Sequence, residues 1–330
     1  MGTEAVNAIF HRHDLLAGLF TLGSFYFYAQ YRRLNKLFLY GLSVLSYFFS
    51  VFAKESAVVL PLILIVYDLV YSRAERRTFN FSQCFKYVPF VFVAAFYLFV
   101  YCIVFPNSAI ERNSYMGGSW QAHVLSIVEI SSTYVLSLAF PFLVKNIPPL
   151  FSPDIAALSS LHWGGVVLLF IVLSSLMAWS LHKNKGLFFA LIWFVLLLIP
   201  VSNIVPLANP MANRFLYLPS VGFFLALAYF FDMLLNKIDR QGNFGKIWVG
   251  SYFLLCIMLT ITFNMQWKNN LILAKKWQKD FPWHSKSYAI LGIEYYRRGM
   301  CQEAQVQILR SMELGNLDPR FPGMLEKCNN

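Results

Sequence analysis

The chain has 330 residues, of which 58% are hydrophobic, 18% aromatic and only 13% charged, and its mean hydropathy is +0.54. This composition is too apolar for an ordinary soluble domain, so it indicates a membrane protein with several spans. The formal net charge of +11 does not predict a nucleic-acid partner, because the basic residues of the membrane domain are concentrated in a few loops between apolar runs.

Nine apolar runs follow one another along the chain, and most have about the 17–25 residues that a helix needs to cross the hydrocarbon core. They cover residues 15–31, 37–53, 57–71, 87–105, 124–144, 163–181, 187–201, 215–235 and 247–265. The first run is too long for a signal peptide and lacks its flanking pattern, so no cleavable signal is expected. The runs themselves predict a multi-pass integral membrane protein.

Four loops carry most of the basic residues of this region, and the positive-inside rule assigns all four to the cytoplasm. They contain Arg32, Arg33 and Lys36; Arg73, Arg76, Arg77 and Lys86; Lys183 and Lys185; and Lys237, Arg240 and Lys246. Nine strictly alternating crossings cannot place them on one side. Either one run does not cross, or the rule is violated in one half of the chain.

The fifth run is the candidate that does not cross, because it contains Glu129 and several hydroxyl side chains. A carboxylate at mid-span costs about 2.5–3.5 kcal/mol on insertion scales. The predicted fold is therefore all-α: a polytopic membrane helix bundle with about eight crossings plus one re-entrant or interfacial segment. Both termini are then non-cytoplasmic, and we favour a bacterial inner membrane over an endoplasmic reticulum membrane.

Charged residues of mixed sign lie at the non-cytoplasmic ends of these predicted helices. They are Arg12 and Asp14, Lys54 and Glu55, Glu111 and Arg112, and Arg214. Taken singly, each is explained as a helix cap, an interface anchor or a local ion pair. As a set on one side of the membrane, they resemble a binding site more than a topology signal.

Four segments resemble successive signature blocks of one family. They are "TEAVNAIFHRHDLLAGLF", "FAKESAVVLPLILIVYDLV", "AFPFLVKNIPPLFSPD" and "MANRFLYLPSVGFF". The family is the multi-spanning one with C-terminal tetratricopeptide repeats, related to the protein O-mannosyltransferases of the GT-C glycosyltransferase superfamily. In order and spacing the resemblance covers nearly the whole chain. The matching motif positions are Arg12, Asp14, Lys54, Glu55, Arg214, Tyr217 and Pro219.

The resemblance implies a membrane glycosyltransferase that moves a sugar from a polyprenyl-phosphate donor to an acceptor on the non-cytoplasmic face. The donor phosphate needs fixed cations, and arginine presents a fork that matches phosphate geometry. The expected lipid-phosphate and substrate-binding residues are Arg214, Lys54, Glu55, Arg12 and Tyr217. Replacing Arg214 by alanine is expected to abolish transfer and to leave expression largely intact.

The catalytic base remains unassigned. The superfamily uses an acid in its first outer loop, and here the first block stands at the start of the sequence, so the catalytic-loop region is expected to be absent. Asp14 is the nearest acid, without support from the motif. An N-terminally short transferase is one interpretation. The alternative is a non-catalytic membrane subunit or scaffold that binds a partner protein through its tail, and a transporter ranks third.

The composition becomes charged after residue 266, which divides the chain into a transmembrane domain, 1–266, and a soluble tail, 267–330. Within the tail, residues have the spacing of a partial tetratricopeptide repeat. They are Leu291, Gly292, Tyr295, Gly299, Ala304 and Ile308. The segment from Tyr288 to Leu314 is therefore the expected contact for an acceptor or partner protein.

No metal site or cofactor is predicted from the remaining motifs. His11 and His13 are two residues apart, and such a spacing points side chains to different faces of a helix. No phosphate-binding or dinucleotide-binding glycine motif occurs. Cys301 and Cys328 can pair in an oxidising compartment, although nothing in the sequence requires it.

Overall fold

The computed structural model describes residues 3–7, 11–72, 81–104, 119–143, 145, 147, 160–204, 207, 209–238 and 243–329, and every regular element there is helical. The helices are α1 Thr3–Asn7, α2 Arg12–Leu34, α3 Leu37–Ala53, α4 Leu60–Ser72, α5 Val88–Val104, α6 Trp120–Ala139, α7 Ser160–Lys183, α8 Lys185–Leu198, α9 Pro219–Ile238, α10 Asn243–Gln266, α11 Asn270–Asp280, α12 Ser285–Arg297, α13 Cys301–Glu313 and α14 Phe321–Asn329. The all-α prediction is confirmed for this part of the chain. The Glu111–Arg112 pair, Arg73, Arg76, Arg77, Arg240 and Val144 lie outside it.

Among the described residues, three helical segments are long and apolar enough to cross a membrane, namely Cys84–Val104, Trp120–Ala139 and Trp163–Lys183. Shorter apolar helices cover Leu37–Ala53, Lys185–Val201, Pro219–Met233 and Gly250–Gln266. Large apolar side chains such as Phe92, Leu168 and Met258 point outward from α5, α7 and α10. Contiguous apolar surface of this kind is covered by lipid in membrane proteins.

Helices α2 and α3 form a tight antiparallel hairpin. The chain reverses at Asn35, which adopts the left-handed conformation with φ of 54° and ends α2. Small hydroxyl residues line the contact: Ser24 Oγ donates to Ser43 O at 2.8 Å, and Ser43 Oγ donates back to Ser24 O at 2.7 Å. Such small polar residues let two membrane helices approach closely while satisfying each other's hydrogen bonds.

A second close contact joins α8 and α9. A Cβ atom placed on Gly222 would lie only 2.6 Å from Ala190 O and 2.7 Å from Phe194 N. The backbone of α9 can therefore approach α8 only because residue 222 has no side chain. Trp193 of α8 donates its indole N–H to Leu218 O at 3.2 Å, which ties α8 to the start of α9.

The helices have two common ends, which we call the Lys54 end and the Asp68 end after the residues that lie there. Helices α2, α4, α7 and α9 run from the Lys54 end to the Asp68 end, and α3, α5, α8 and α10 run back. Asp14 and Lys54 meet at one end, and Tyr28, Asp68 and Tyr87 meet at the other. Asp14 and Arg32 are 18 positions apart on α2, so the two ends are separated by about 27 Å, close to the thickness of a hydrocarbon core.

Helix α6 coincides with the run that was expected to be re-entrant or interfacial. It is one uninterrupted helix of 20 residues, not the broken hairpin of a re-entrant segment. Its second half packs against the Lys54 end, where Tyr134 Oη donates to Ala212 O at 3.2 Å and accepts from Ala212 N at 3.0 Å. The carboxylate of Glu129 accepts a hydrogen bond from Thr133 Oγ1 at 3.2 Å within the same helix.

The tail, α11 to α14, follows α10 at the Lys54 end. Phe281, directly after α11, packs with Tyr134, Met211 and Leu216, so the tail is docked on the membrane domain. Helices α12 and α13 form an antiparallel hairpin in which a Cβ on Gly292 would lie 2.8 Å from Ile308 Cγ1. A disulfide between Cys301 and Cys328 joins the start of α13 to the end of α14.

Candidate functional site

Four charged side chains meet at the Lys54 end, and we call Glu4, Asp14, Lys54 and Arg214 the Lys54 cluster. The ammonium of Lys54 donates to Asp14 Oδ1, and Nη1 of Arg214 donates to Glu4 Oε1. Glu4 Oε2 also accepts the backbone N–H of Arg214 at 3.1 Å. All four side chains are at least 88% buried. The cluster contains two cations and two carboxylates, so its formal charge is zero.

Local structure positions each member of the cluster. Lys54 directly follows α3, where the chain becomes extended before the short 3-10 helix Glu55–Val59. Arg214 lies in the 3-10 helix Asn213–Leu216, and Asn213 anchors that turn by donating to Lys145 O at 2.7 Å. The side chains of Lys54 and Arg214 therefore extend from short non-α segments at the helix ends. Both side chains reach the same charged centre.

The ring of Phe215 holds both cations in place. Lys54 Nζ lies 4.9 Å and Arg214 Cζ 5.0 Å from its centroid. A cation near an aromatic face gains about 0.5–2 kcal/mol, more where water is excluded. Each cation is thus fixed by one carboxylate and one shared ring. The guanidinium carries further N–H donors on Nε and Nη2, and the ammonium has three donors in all, so both can bind an anion without leaving their carboxylates.

Tyr217 separates this charged centre from an apolar groove. A Cβ on Gly18 would lie 2.6 Å from Tyr217 Cε1, so the absence of a side chain at residue 18 makes room for the ring. Beyond the ring, a groove of about 350 Å³ runs between α2, α6, α9 and α10. Its lining includes Leu22, Leu138, Tyr217, Phe224, Tyr252 and Leu259. Its volume is within the range of about 300–1,000 Å³ that is usual for ligand sites.

The charged centre itself contains little free space. The cavity between Asp14, Lys54, Arg214 and Tyr217 has a volume of about 10 Å³, which is room for about one water molecule. Tyr217 and Leu218 line both this cavity and the groove. A phosphate group can therefore reach the two cations from the groove only when the Tyr217 ring turns aside.

The other predicted site residues are not part of this centre. Arg12 is exposed at the start of α2, and no ion pair holds it among the residues that the structure describes. Glu55 is also exposed, whereas Lys54, its neighbour in sequence, is buried and pairs with Asp14. The structure thus brings Lys54, Arg214 and Tyr217 together with Asp14 and leaves Arg12 and Glu55 at the surface.

His11 and His13 lie beside the cluster, and their rings meet edge to face with centroids 5.9 Å apart. The expected separation onto different helix faces does not occur, because His11 precedes the helix with φ of −106° and ψ of 18°. Nitrogen atoms of both rings and a carboxylate oxygen of Asp14 lie within 4.8 Å of one another. Desolvation by burial, followed by the charge of Arg214, lowers the pKa of His11 to about 4, so this imidazole is neutral at pH 7.

Sequence reasoning missed a second charged centre, which we call the Asp68 cluster: Tyr28, Arg32, Asp68, Lys86 and Tyr87. The Asp68 side chain is fully buried. The hydroxyls of Tyr28 and Tyr87 each donate to Asp68 Oδ2 at 2.6 Å, and Arg32 Nε lies 2.9 Å from Oδ1. Lys86 Nζ also contacts Oδ2. The available signal was a single acid inside the apolar run "LIVYDLVY".

Glu4 was also missed, although it stands in the quoted block that begins "TEAV". Its role depends on a contact with Arg214 across 210 positions, and no local pattern reveals such a contact. Comparisons with protein-family profiles, with curated proteins and with solved structures find no match for this chain, so its function must be argued from the two clusters and the groove.

Proposed function

We propose that the chain binds a polyprenyl-phosphate-linked sugar and is a membrane glycosyltransferase-like protein of the O-mannosyltransferase type. One observation carries the proposal: the apolar groove adjoins two buried cations, and Tyr217 and Leu218 line both. A lipid phosphate has the complementary chemistry, since its hydrocarbon chain suits the groove and its anionic head suits Arg214 and Lys54.

The same geometry supports catalysis by charge stabilisation. When a sugar leaves a lipid phosphate, negative charge develops on the phosphate oxygens. Donors held in place by Glu4, Asp14 and Phe215 need little reorganisation at that moment, and in a water-poor site such stabilisation is worth several kcal/mol of barrier. The carboxylates then serve as anchors for the cations rather than as bases.

Two independent features favour a non-cytoplasmic location for the Lys54 end. Basic residues from three loops lie at the opposite, Asp68 end; those that the structure describes include Arg33, Lys86 and Lys183. The positive-inside rule assigns that end to the cytoplasm. The tail follows α10 at the Lys54 end and contains the Cys301–Cys328 disulfide, which forms and persists in oxidising compartments. Among the described helices, the eight other than α6, namely α2 to α5 and α7 to α10, alternate in direction. This alternation supports eight crossings and non-cytoplasmic termini.

One observation favours the alternative, a non-catalytic subunit that assembles with a partner through the tail. Asp14, the nearest acid to serve as a base, is buried and paired with Lys54. A carboxylate held this way is a poor proton acceptor for a substrate hydroxyl. In that case the chain retains the lipid-phosphate site and another subunit supplies the base.

Lipid-phosphate binding can be measured by photolabelling the full chain in nanodiscs with a photoreactive polyprenyl phosphate. We expect labelled peptides from α9 and α10 along the groove, and competition by unlabelled polyprenyl phosphate at least tenfold better than by the matching polyprenol. Equal competition by the alcohol would contradict phosphate recognition. Release of sugar from a polyprenyl-phosphate sugar by the same preparation distinguishes the transferase from the non-catalytic alternative.

The membrane orientation can be measured separately on bacterial spheroplasts that express the chain. Reduction with a membrane-impermeant phosphine is expected to open the Cys301–Cys328 disulfide and to add two labels per chain from an impermeant maleimide. The Cys301→Ser/Cys328→Ser variant is the control, because its remaining cysteines give the background. Labelling that appears only after the spheroplasts are lysed would place the tail and the Lys54 end in the cytoplasm.

A further inference from the structure

We propose that His11, His13 and Asp14 form a binding site for a divalent transition-metal ion, with Zn²⁺ as the best-suited ion. The three side chains bring two imidazole nitrogens and one carboxylate oxygen within 4.8 Å of one another. Three protein ligands of this kind with one open position are the usual donor set of an accessible zinc site. Imidazole nitrogen also selects zinc, copper or nickel over magnesium and calcium, which prefer oxygen ligands.

A second observation points to a ligand at this position. The side chain of Asp14 is 97% buried, yet its Oδ2 atom makes no hydrogen bond to any residue that the structure describes. Oδ2 lies 3.4 Å from His13 Nε2, whereas Oδ1 is occupied by Lys54. A buried carboxylate oxygen without a hydrogen-bond partner is costly, and a cation bound there removes that cost. A carboxylate has enough lone pairs to hold Lys54 on one oxygen and an ion on the other.

The surroundings of His11 also suit a ligand. Its Nδ1 atom is buried without a hydrogen bond within the described part of the chain, and its Nε2 atom lies 3.9 Å from Glu4 Oε1. Metal-binding histidines usually have a carboxylate beside the other ring nitrogen, which orients the ring. His13 is about half exposed and so opens a path from the solvent. When metal–ligand bonds are about 2.1 Å long, the ligand atoms around one ion lie about 3–4 Å from one another. A small rotation of the His13 ring would bring the three ligand atoms to such distances.

Metal binding changes the charge balance of the Lys54 cluster. The cluster alone has a formal charge of zero, so it offers no excess positive charge to a phosphate. A bound divalent ion makes the local charge +2 and leaves Lys54 and Arg214 in place. If the proposed function holds, we expect the ion and the lipid phosphate to bind cooperatively, because the ion would add positive charge beside Lys54 and Arg214. The metal site itself does not depend on that function.

The test uses tag-free, full-length protein in detergent, stripped with EDTA and titrated with Co²⁺ as a visible-absorbing substitute for Zn²⁺. We expect one equivalent of bound Co²⁺ with d–d absorption, which one equivalent of Zn²⁺ displaces, and no lipid is present. His13→Asn is expected to weaken binding at least tenfold, and His11→Asn likewise. His13 is exposed, so its variant keeps the fold, which a thermal unfolding scan of each protein verifies.

The matched control is His182→Asn, which removes an exposed histidine at the end of α7. This variant is expected to bind Co²⁺ like the unmodified chain. Absence of d–d absorption, or equal affinity in the His13→Asn and His182→Asn proteins, would overturn the proposal. Because polyprenyl phosphate is left out, this result is separate from the photolabelling that tests the proposed function.

Discussion

Replacement of Asp68 by asparagine is expected to lower the free energy of unfolding by about 3–5 kcal/mol, the usual cost of removing one partner of a buried ion pair. The asparagine keeps the shape of the side chain but not its charge. Arg32 and Lys86, whose side chains are only 18% and 13% exposed, then face each other without a carboxylate. The hydroxyls of Tyr28 and Tyr87 also lose a charged acceptor. Because the Asp68 cluster joins α2, α4 and the 3-10 turn Phe81–Tyr87 directly before α5, the loss affects three segments at once.

Thermal unfolding in detergent, followed by intrinsic fluorescence, measures this effect. Asp232→Asn is the matched control, since Asp232 is an exposed carboxyl on α9 and its replacement should change stability by less than about 0.5 kcal/mol. A second change, Lys86→Met, in the Asp68→Asn background reduces the excess positive charge and is expected to restore part of the loss. Equal unfolding temperatures for the Asp68→Asn and Asp232→Asn proteins would show that the cluster contributes no net stability.

Replacement of Arg214 by methionine together with Glu4 by glutamine is expected to reduce polyprenyl-phosphate photolabelling by about 10- to 100-fold. This range corresponds to about 1.5–3 kcal/mol from hydrogen bonds to a charged group. The double change is needed because Arg214→Ala alone leaves Glu4 as a buried, unpaired carboxylate. The sequence led us to expect intact expression of Arg214→Ala, and the contact with Glu4 predicts an additional loss of stability.

The matched control for this prediction is Glu4→Gln alone. It loosens the guanidinium but keeps its charge and its N–H donors, so photolabelling should fall much less than in the double variant. Both proteins should elute as monodisperse species in detergent, which separates binding from folding. Undiminished photolabelling of the double variant would mean that Arg214 does not hold the phosphate, even if the groove binds the lipid chain.

The membrane character and the helical class follow from local sequence. A long apolar run, such as the one that forms α7, can satisfy its backbone hydrogen bonds in lipid only as a helix. Lys54 and Arg214, which stand in two of the quoted blocks, lie close together in the structure and line the same small cavity. Arg12 and Glu55 were grouped with them because they are neighbours in sequence. The structure leaves both at the surface, since adjacent residues on a bent segment point in different directions.

By itself, the sequence determined which segments are helices, where basic residues accumulate and which cations are available for an anion. Only the tertiary structure decided the partners of those cations. Lys54 pairs with Asp14 across 40 positions, and Arg214 pairs with Glu4 across 210. Hydropathy and charge pattern are local properties that neighbouring residues set. Ion-pair partners depend on how helices pack, so Asp68 became recognisable as a buried centre only from its contacts with α2 and with the turn before α5.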